Sequence, residues 1–204
     1  MALIDAALTL VGTGGLPAIG VRSVTSTAAL SSRYFYESFS DSDELMIAAL
    51  RVVVTELLTV GVAGLEAGDV PEDATSSSGP EILDRFRQGL NAALGVLLED
   101  PRKAALIVAA SAGSPRLRQE LQGQISIVAG TITGHQKAGE IGFDATSALF
   151  TVGGMAQLVI AFVSGELPID YDGLVERLAR YTLGVVTMSR DVPQLAPERS
   201  RAHA

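Results

Sequence analysis

Residues 15–39 read GLPAIGVRSVTSTAALSSRYFYESF, and the fold turns on them. Val21 and Val24 sit three apart between Gly20 and Thr27, so they share one face of a short helix that can lie against the helix before it. Ala28, Ala29 and Leu30 form a small-residue turn. Ser31, with Ser32 as the rival, then caps a second short helix through Glu37 or Ser38. Phe35 and Phe39 are four apart and point together into a small core, which sends Tyr36 elsewhere. Two short helices joined by a tight turn form the geometry that lays one helix in a DNA major groove. The exposed face of the second helix offers Ser32, Arg33, Tyr34 and Tyr36. Arg33 suits guanine or phosphate, and the tyrosine hydroxyls suit the backbone. From Gly15 to Tyr36 there are two arginines and no acidic residue, so this stripe is locally positive. The same spacing also suits arginines that only solvate a surface and aromatics that only pack it.

Working outward, residues 2–11 place Ile4, Leu8 and Val11 on one helical face, widened by Leu3, Ala7 and Leu10, until the cluster Gly12 to Gly15 stops the helix. That GTGG cluster has neither a preceding strand nor a following Lys-Ser or Lys-Thr, so it fails as a phosphate loop. Ser40 or Asp41 caps a longer helix over about 43–66, with Glu44 suited to its positive end and Leu45 and Met46 closing the small unit. The polar stretch 67–80 reads as a loop. Further helices are expected at about 81–98, 101–112, 115–138, 144–164 and 170–189, then a frayed tail over 191–204. Nothing alternates long enough to be a strand, and no repeat is visible. The expected class is all-α, with a small unit over 1–46 and a larger helical unit over 47–190.

Composition narrows the function. The 204 residues are 48% hydrophobic and 19% charged, enough to bury a core. Cysteine is absent and there are two histidines, His135 and His203, so thiol chemistry is excluded and a zinc or iron centre disfavoured. A net charge of -8 disfavours a chain that coats nucleic acid or an anionic membrane, while leaving room for a local footprint. The opening residues lack a basic segment and carry Asp5, unlike a signal peptide. The apolar run Ala148 to Val163 contains Gln157 and falls short of the roughly 20 residues a bilayer needs, so a buried or interface helix is expected, in a cytoplasmic protein without a membrane partner. The acidic pairs Glu99 with Asp100 and Asp170 with Asp172 do not converge on a helix as catalytic carboxylates would, and capping is the simpler role for Asp170.

The run VRSVTSTAALSSRYFYESFSDSDEL, followed by a long helix and an all-helical remainder, resembles the TetR family of bacterial transcriptional repressors, most densely over residues 4–50. Val24 stands where that family keeps an aliphatic residue, and Ala28-Ala29-Leu30 where it usually has Ala-Gly-Val. Tyr36 and Phe39 match its Tyr-x-x-Phe pattern. The resemblance implies that residues 1–46 are a helix-turn-helix DNA-binding domain in which 21–27 supports, 31–37 recognises and Tyr36 contacts phosphate. Val21, Arg22, Ser31, Ser32, Arg33 and Tyr34 complete the expected DNA contacts. Two-fold pairing would place palindromic half-sites about one helical turn or more apart.

Three departures accompany the resemblance. Ser42 replaces a common lysine, Ile19 and Gly20 replace hydroxyl residues that cap the supporting helix, and the chain begins almost directly in its first helix where relatives carry a basic lead-in. A truncated gene product or weak operator binding is expected from the last.

For 47–190 the resemblance implies ligand binding and dimerisation. A small apolar or amphipathic effector would sit in a pocket whose candidate lining is Phe86, Leu90, Leu94, Ile107, Ile125, Val128 and Phe162. Gln122 and His135 could supply polar anchors, with a partly exposed surface role as the favoured reading. The last two helices would pair with their copies through Leu149, Gly153, Gly154 and Leu158 and through Leu174, Leu178, Tyr181 and Val185, although both stripes could also line a single core. The expected function is a ligand-responsive repressor that binds a palindromic duplex operator as a homodimer, without catalysis, metal or cofactor. The alternative is a helical dimeric ligand-binding or scaffold module with weakened or lost DNA binding.

Overall fold

The computed structural model describes residues 1–67, 79–134 and 144–189, and among these every regular element is a helix. In chain order they are α1 (Ala2–Gly14), a 3-10 turn (Leu16–Ala18), α2 (Val21–Thr27), α3 (Ser32–Ser38), α4 (Ser42–Glu66), α5 (Gly79–Glu99), α6 (Pro101–Ala112), α7 (Pro115–Gly134), α8 (Ala145–Val163) and α9 (Tyr171–Ser189). Most of the expected loop at 67–80, the expected helix end at 135–138, the tail, His135 and His203 lie outside the described residues.

The first helix runs further than its glycines suggest. Gly12 and Gly14 stay helical, and the chain turns only at Gly15, where φ is 64°. Gly12 is needed for proximity, since a Cβ there would lie 3.0 Å from Cγ of Arg102 on α6. Helix α2 starts at Gly20, whose missing capping side chain is offset by Ser23. That hydroxyl accepts from the Gly20 N–H at 3.0 Å and donates to the Ala18 carbonyl at 2.7 Å. The α2–α3 turn is closed by Leu30 N–H on the Thr25 carbonyl at 2.9 Å, and it forces Ala29 to a left-handed φ of 52°. A glycine would adopt this conformation freely, whereas alanine pays for it.

Helix α4 is capped reciprocally. Asp41 accepts from the Glu44 N–H at 2.8 Å, and the Glu44 carboxylate accepts from the N–H and hydroxyl of Ser40, both at 2.7 Å. Its first turns bury Leu45 and Met46 in the core shared with α1 and Phe35, and its later turns continue into the larger bundle. One continuous core therefore runs from Leu3, Val24 and Phe35 through Leu50 and Leu106 to Leu178. Helices α4 and α5 meet almost backbone to backbone: a Cβ on Gly64 would lie 3.0 Å from the Gln88 carbonyl, and one on Gly89 the same distance from that of Gly61. Further along, α5 is tied to α9 by Arg87, which pairs with Glu176 at 2.6 Å while Glu176 also pairs with Arg180.

The α9 stripe, open between a core and an interface reading, is partly core. Leu174 and Leu178 are buried with Val175, Ala179, Thr182 and Val186, because the face centred on these residues packs into the bundle core. Tyr181 lies to one side of that face and is exposed. Two helices, Ser42–Glu66 and Ala145–Val163, are long and apolar enough to cross a membrane by length and composition. The apolar run read from the sequence was shorter than the helix that carries it. In the fold, α4 and α8 share the wall of a cavity.

Candidate nucleic-acid interface and ligand cavity

The α2–α3 pair hides its apolar residues and displays its polar ones. Phe35 is 0% exposed and stacks edge-on against Tyr36 with ring centroids 5.5 Å apart, and Phe39 packs on it at 6.0 Å. Tyr36 is 62% exposed, and Tyr34, Arg22, Ser31, Ser32 and Arg33 are exposed as well. Val21 is the exception among the candidate contacts, being half-buried against the core. Ser31 occupies the N-cap position of α3 without a capping side-chain bond, which leaves its hydroxyl uncommitted to the helix end. Arg33 is not a bare cation: its Nε donates to Glu37 at 2.8 Å, one turn along the same helix. Ser42, at the start of α4, is half-buried.

Polar clamps fix this head to the bundle. Arg102 donates to Asp5 at 3.1 Å and Thr9 at 2.9 Å on α1, while gripping Asp100 through two nitrogens, each at 2.8 Å. At the other end, Ser114 donates to Asp43 at 2.6 Å and Arg116 to Asp41 at 2.9 Å. The Glu44 N–H first, then Arg116, hold the Asp41 carboxyl below its ordinary range. Asp100 also caps α6, and Asp170 accepts from the Gly173 N–H at 2.9 Å, so both acids serve helix starts.

Beneath α4 lies a cavity of about 260 Å³. Phe86, Leu90, Leu94, Ile107, Ile125 and Val128 line it, as their helical spacing suggested. Phe162 lines a neighbouring hollow with Leu98, Pro101 and Tyr171, and the two hollows share Leu94, Leu97 and Val159. Gln122 is exposed, because the cavity face of α7 is carried by Leu121, Gln124, Ile125 and Val128, and two residues along a helix turn a side chain by about 200°. The polar residues on the wall are instead Gln124, Thr151 and Thr182. Gln124 donates to Glu120 at 2.7 Å, and Glu120 in turn receives both Nε and Nη2 of Arg51 on α4, at 2.7 and 2.8 Å. That arginine is the main reason the Glu120 carboxyl is held below its ordinary range.

Sequence reasoning missed the α4 wall, formed by Val54, Leu57 and Val62 among others. The signal was present in VVVTELLTVGV, which is apolar on more than one face. The outward side of α8 and α9 leaves Leu149, Phe150, Tyr181 and Met188 exposed, with Gly154 open beside them. Gly153 and Leu158 are half-buried. Among the described residues no group of three or more acidic or histidine side chains could hold a metal.

No family model matches the chain. A stretch of 76 residues is 30% identical to the HTH-type transcriptional regulator BetI of Rhizobium meliloti (strain 1021), a match spanning 37% of this chain and 37% of that protein. Among solved structures, the fatty acid degradation regulator FadR from Bacillus halodurans superposes with a TM-score of 0.66 at 14% identity, covering 90% of this chain and 93% of that one. The TetR family repressor AlkX from Dietzia sp. strain DQ12-45-1b gives 0.56 at 20% identity, covering 93% and 98%. The chain has the fold of TetR-family helix-turn-helix transcriptional regulators.

Proposed function

We propose that this protein is a ligand-responsive transcriptional repressor that binds a palindromic duplex DNA operator as a homodimer in the cytoplasm. In this reading residues 1–46 form the DNA-binding unit and 47–190 the ligand-binding and dimerisation unit. Arg22, Ser31, Ser32, Arg33, Tyr34 and Tyr36 meet the operator, with Val21 seated beneath them. The observation that carries the reading is the course of α4, one uninterrupted helix with Leu45 and Met46 in the core that also holds Phe35 and with Val54 and Leu57 on the cavity wall. An occupant of the cavity touches the same rigid element that orients the head. Such an occupant alters DNA affinity only if it binds the two arrangements of α4 unequally. The exposed apolar side of α8 and α9, with Leu149 and Tyr181, supports pairing of two copies there.

The test is fluorescence anisotropy of the purified chain against duplexes from upstream of its own and neighbouring genes, at several salt concentrations, with random duplex as control. Saturable, salt-sensitive preference for one duplex is the expected result, and uniform absence of binding by folded dimer overturns the reading. A ligand-binding module with weakened DNA recognition is the second reading. It draws on the head's charge, since Arg22 and Arg33 face Asp5, Glu37, Asp41, Asp43 and Glu44 in the same 46 residues, and on the Arg33–Glu37 pair.

A further inference from the structure

Arg33 and Glu37 form an ion pair that helix stability does not explain. Their partner atoms, Nε and Oε1, lie 2.8 Å apart, and the side chains are 86% and 49% exposed. Exposed pairs contribute little, and the cation before the anion is the weaker order at this spacing. Arg33 also stands in the first turn of α3 and Glu37 in the last, so each charge opposes the helix dipole. Glu37 is moreover the single acidic residue between Gly15 and Ser40. The pair sits at the centre of the outward face. Two residues turn a helix by about 200°, so Arg33 and Glu37, two before and two after the buried Phe35, both lie nearly opposite it. Tyr34 and Tyr36, each one residue from Phe35, are exposed on either side of them. Among the described residues the pair spends only one donor and one acceptor on itself. Arg33 keeps Nη1 and Nη2 as donors, and Glu37 keeps Oε2 as an acceptor.

Resting on the repressor reading above, we propose that Arg33 and Glu37 act as one unit that reads a G·C base pair in each operator half-site through the major groove. The guanine edge presents N7 and O6 as two acceptors, and the paired cytosine follows with its N4 amino donor. Two guanidinium donors beside a carboxylate acceptor complement that order. An A·T pair presents acceptor, donor, acceptor, so the second Arg33 nitrogen would meet the adenine amino group and Glu37 the O4 of thymine. The carboxylate sharpens the choice, because among phosphates it is repelled unless it finds a donor. Its contact with Nε also holds the guanidinium fork in one orientation. The flanking tyrosine hydroxyls suit the phosphates on the two sides of the groove.

Selection from a pool of random duplexes with the full chain yields the half-site, and anisotropy on duplexes changed one base pair at a time then measures each preference. One G·C pair per half-site is expected to be favoured over A·T by about tenfold. Arg33→Ala and Glu37→Ala, checked for helical content by circular dichroism, should each cut the preference at that same position to about threefold or less, with the other positions unchanged. Replacing its guanine by 7-deazaguanine, which lacks the N7 acceptor, should weaken wild type about fivefold and leave Arg33→Ala unaffected. Replacing its cytosine by 2-pyrimidinone, which lacks the amino group, should weaken wild type similarly and leave Glu37→Ala unaffected. Variants that act at different positions overturn the proposal. So does Glu37→Ala tightening every duplex alike with all preferences kept, which assigns the carboxylate to neutralising Arg33. Should either variant fail to fold, the two base analogues on the wild-type chain still decide. A selected operator with no such G·C position overturns the paired reading and leaves DNA recognition standing. A folded chain that selects no duplex overturns both.

Discussion

Phe35 and Tyr36 are neighbours on α3, one wholly enclosed and one mostly in solvent, and this alternation characterises the head. The bundle is built the other way about. Its cavity faces inward, on a wall where Gln124, Thr151 and Thr182 are the polar residues amid leucines and valines, and α8 and α9 leave Leu149, Phe150, Tyr181 and Met188 exposed. On the proposed reading, a head that meets a charged polymer holds its hydrogen-bonding groups in water, whereas a pocket for a small apolar molecule keeps few of them. The same residue types consequently mean different things in the two regions. An exposed tyrosine in the head is a candidate contact, whereas a buried threonine in the bundle, such as Thr182 bonded to the Leu178 carbonyl, belongs to the packing.

The sharpest break comes from separating frame from surface within the head. Phe35→Ala should destabilise the chain by about 3–5 kcal/mol, because it empties the site around which α1–α4 pack. Chemical denaturation measures this, and a loss below about 1 kcal/mol would mean the head core is not the rigid frame described. By contrast, Tyr36→Phe and Arg33→Ala should leave the midpoint nearly unchanged while weakening specific operator binding by about 1–3 kcal/mol per lost contact, read by anisotropy. Arg33→Ala also frees Glu37, so its effect should steepen at low salt.

A smaller effect tests the turn between frame and surface. Ala29→Gly relieves a left-handed alanine and should stabilise by about 1 kcal/mol, raising the melting temperature by about 2–4 °C in calorimetry. A fall in stability would show that Ala29 is held by packing stronger than its backbone cost. The smallest effect belongs to the bundle's surface. Glu176, depressed to about 2 by Arg87 and then Arg180, has an ordinary value of 4.5. Its contribution is therefore present above pH 4.5 and disappears as pH falls toward 2, where both folded and unfolded chains hold the proton. Melting of Glu176→Gln alongside wild type should show a gap near neutrality that closes on acidification, and a gap independent of pH would assign the effect to something other than charge.

How far each region was legible follows from the same contrast. The nine helices described are punctuated by prolines, glycines and caps such as Asp41, Asp100 and Asp144, which act locally and can be read locally. The display of Arg33, Tyr34 and Tyr36 followed from Phe35 and Phe39 fixing the opposite face. In the bundle, six residues of the expected spacing line the cavity, while Gln122 stayed open between anchor and surface, because α7 carries glutamines at 119, 122 and 124 and only packing decides which one turns inward. Leu174 and Leu178 stayed open between core and interface for the same reason, since an apolar stripe states that it is covered and not by what. Arg102 was invisible as a clamp: its partners Asp5 and Thr9 stand more than ninety residues away.

The unbroken core from Leu3 to Leu178 bears on how the molecule melts. With α4 shared between head and bundle, neither part has a hydrophobic interior it can keep when the other is lost, so heat should produce one calorimetric transition and not two. Mass action then makes the head a beneficiary of whatever fills the cavity. A ligand present at a hundred times its dissociation constant adds about 2.7 kcal/mol to the whole unit, and amide hydrogens around Phe35 that exchange only through global opening should slow accordingly. Occupancy deep in the bundle would be recorded as protection at a helix it never touches.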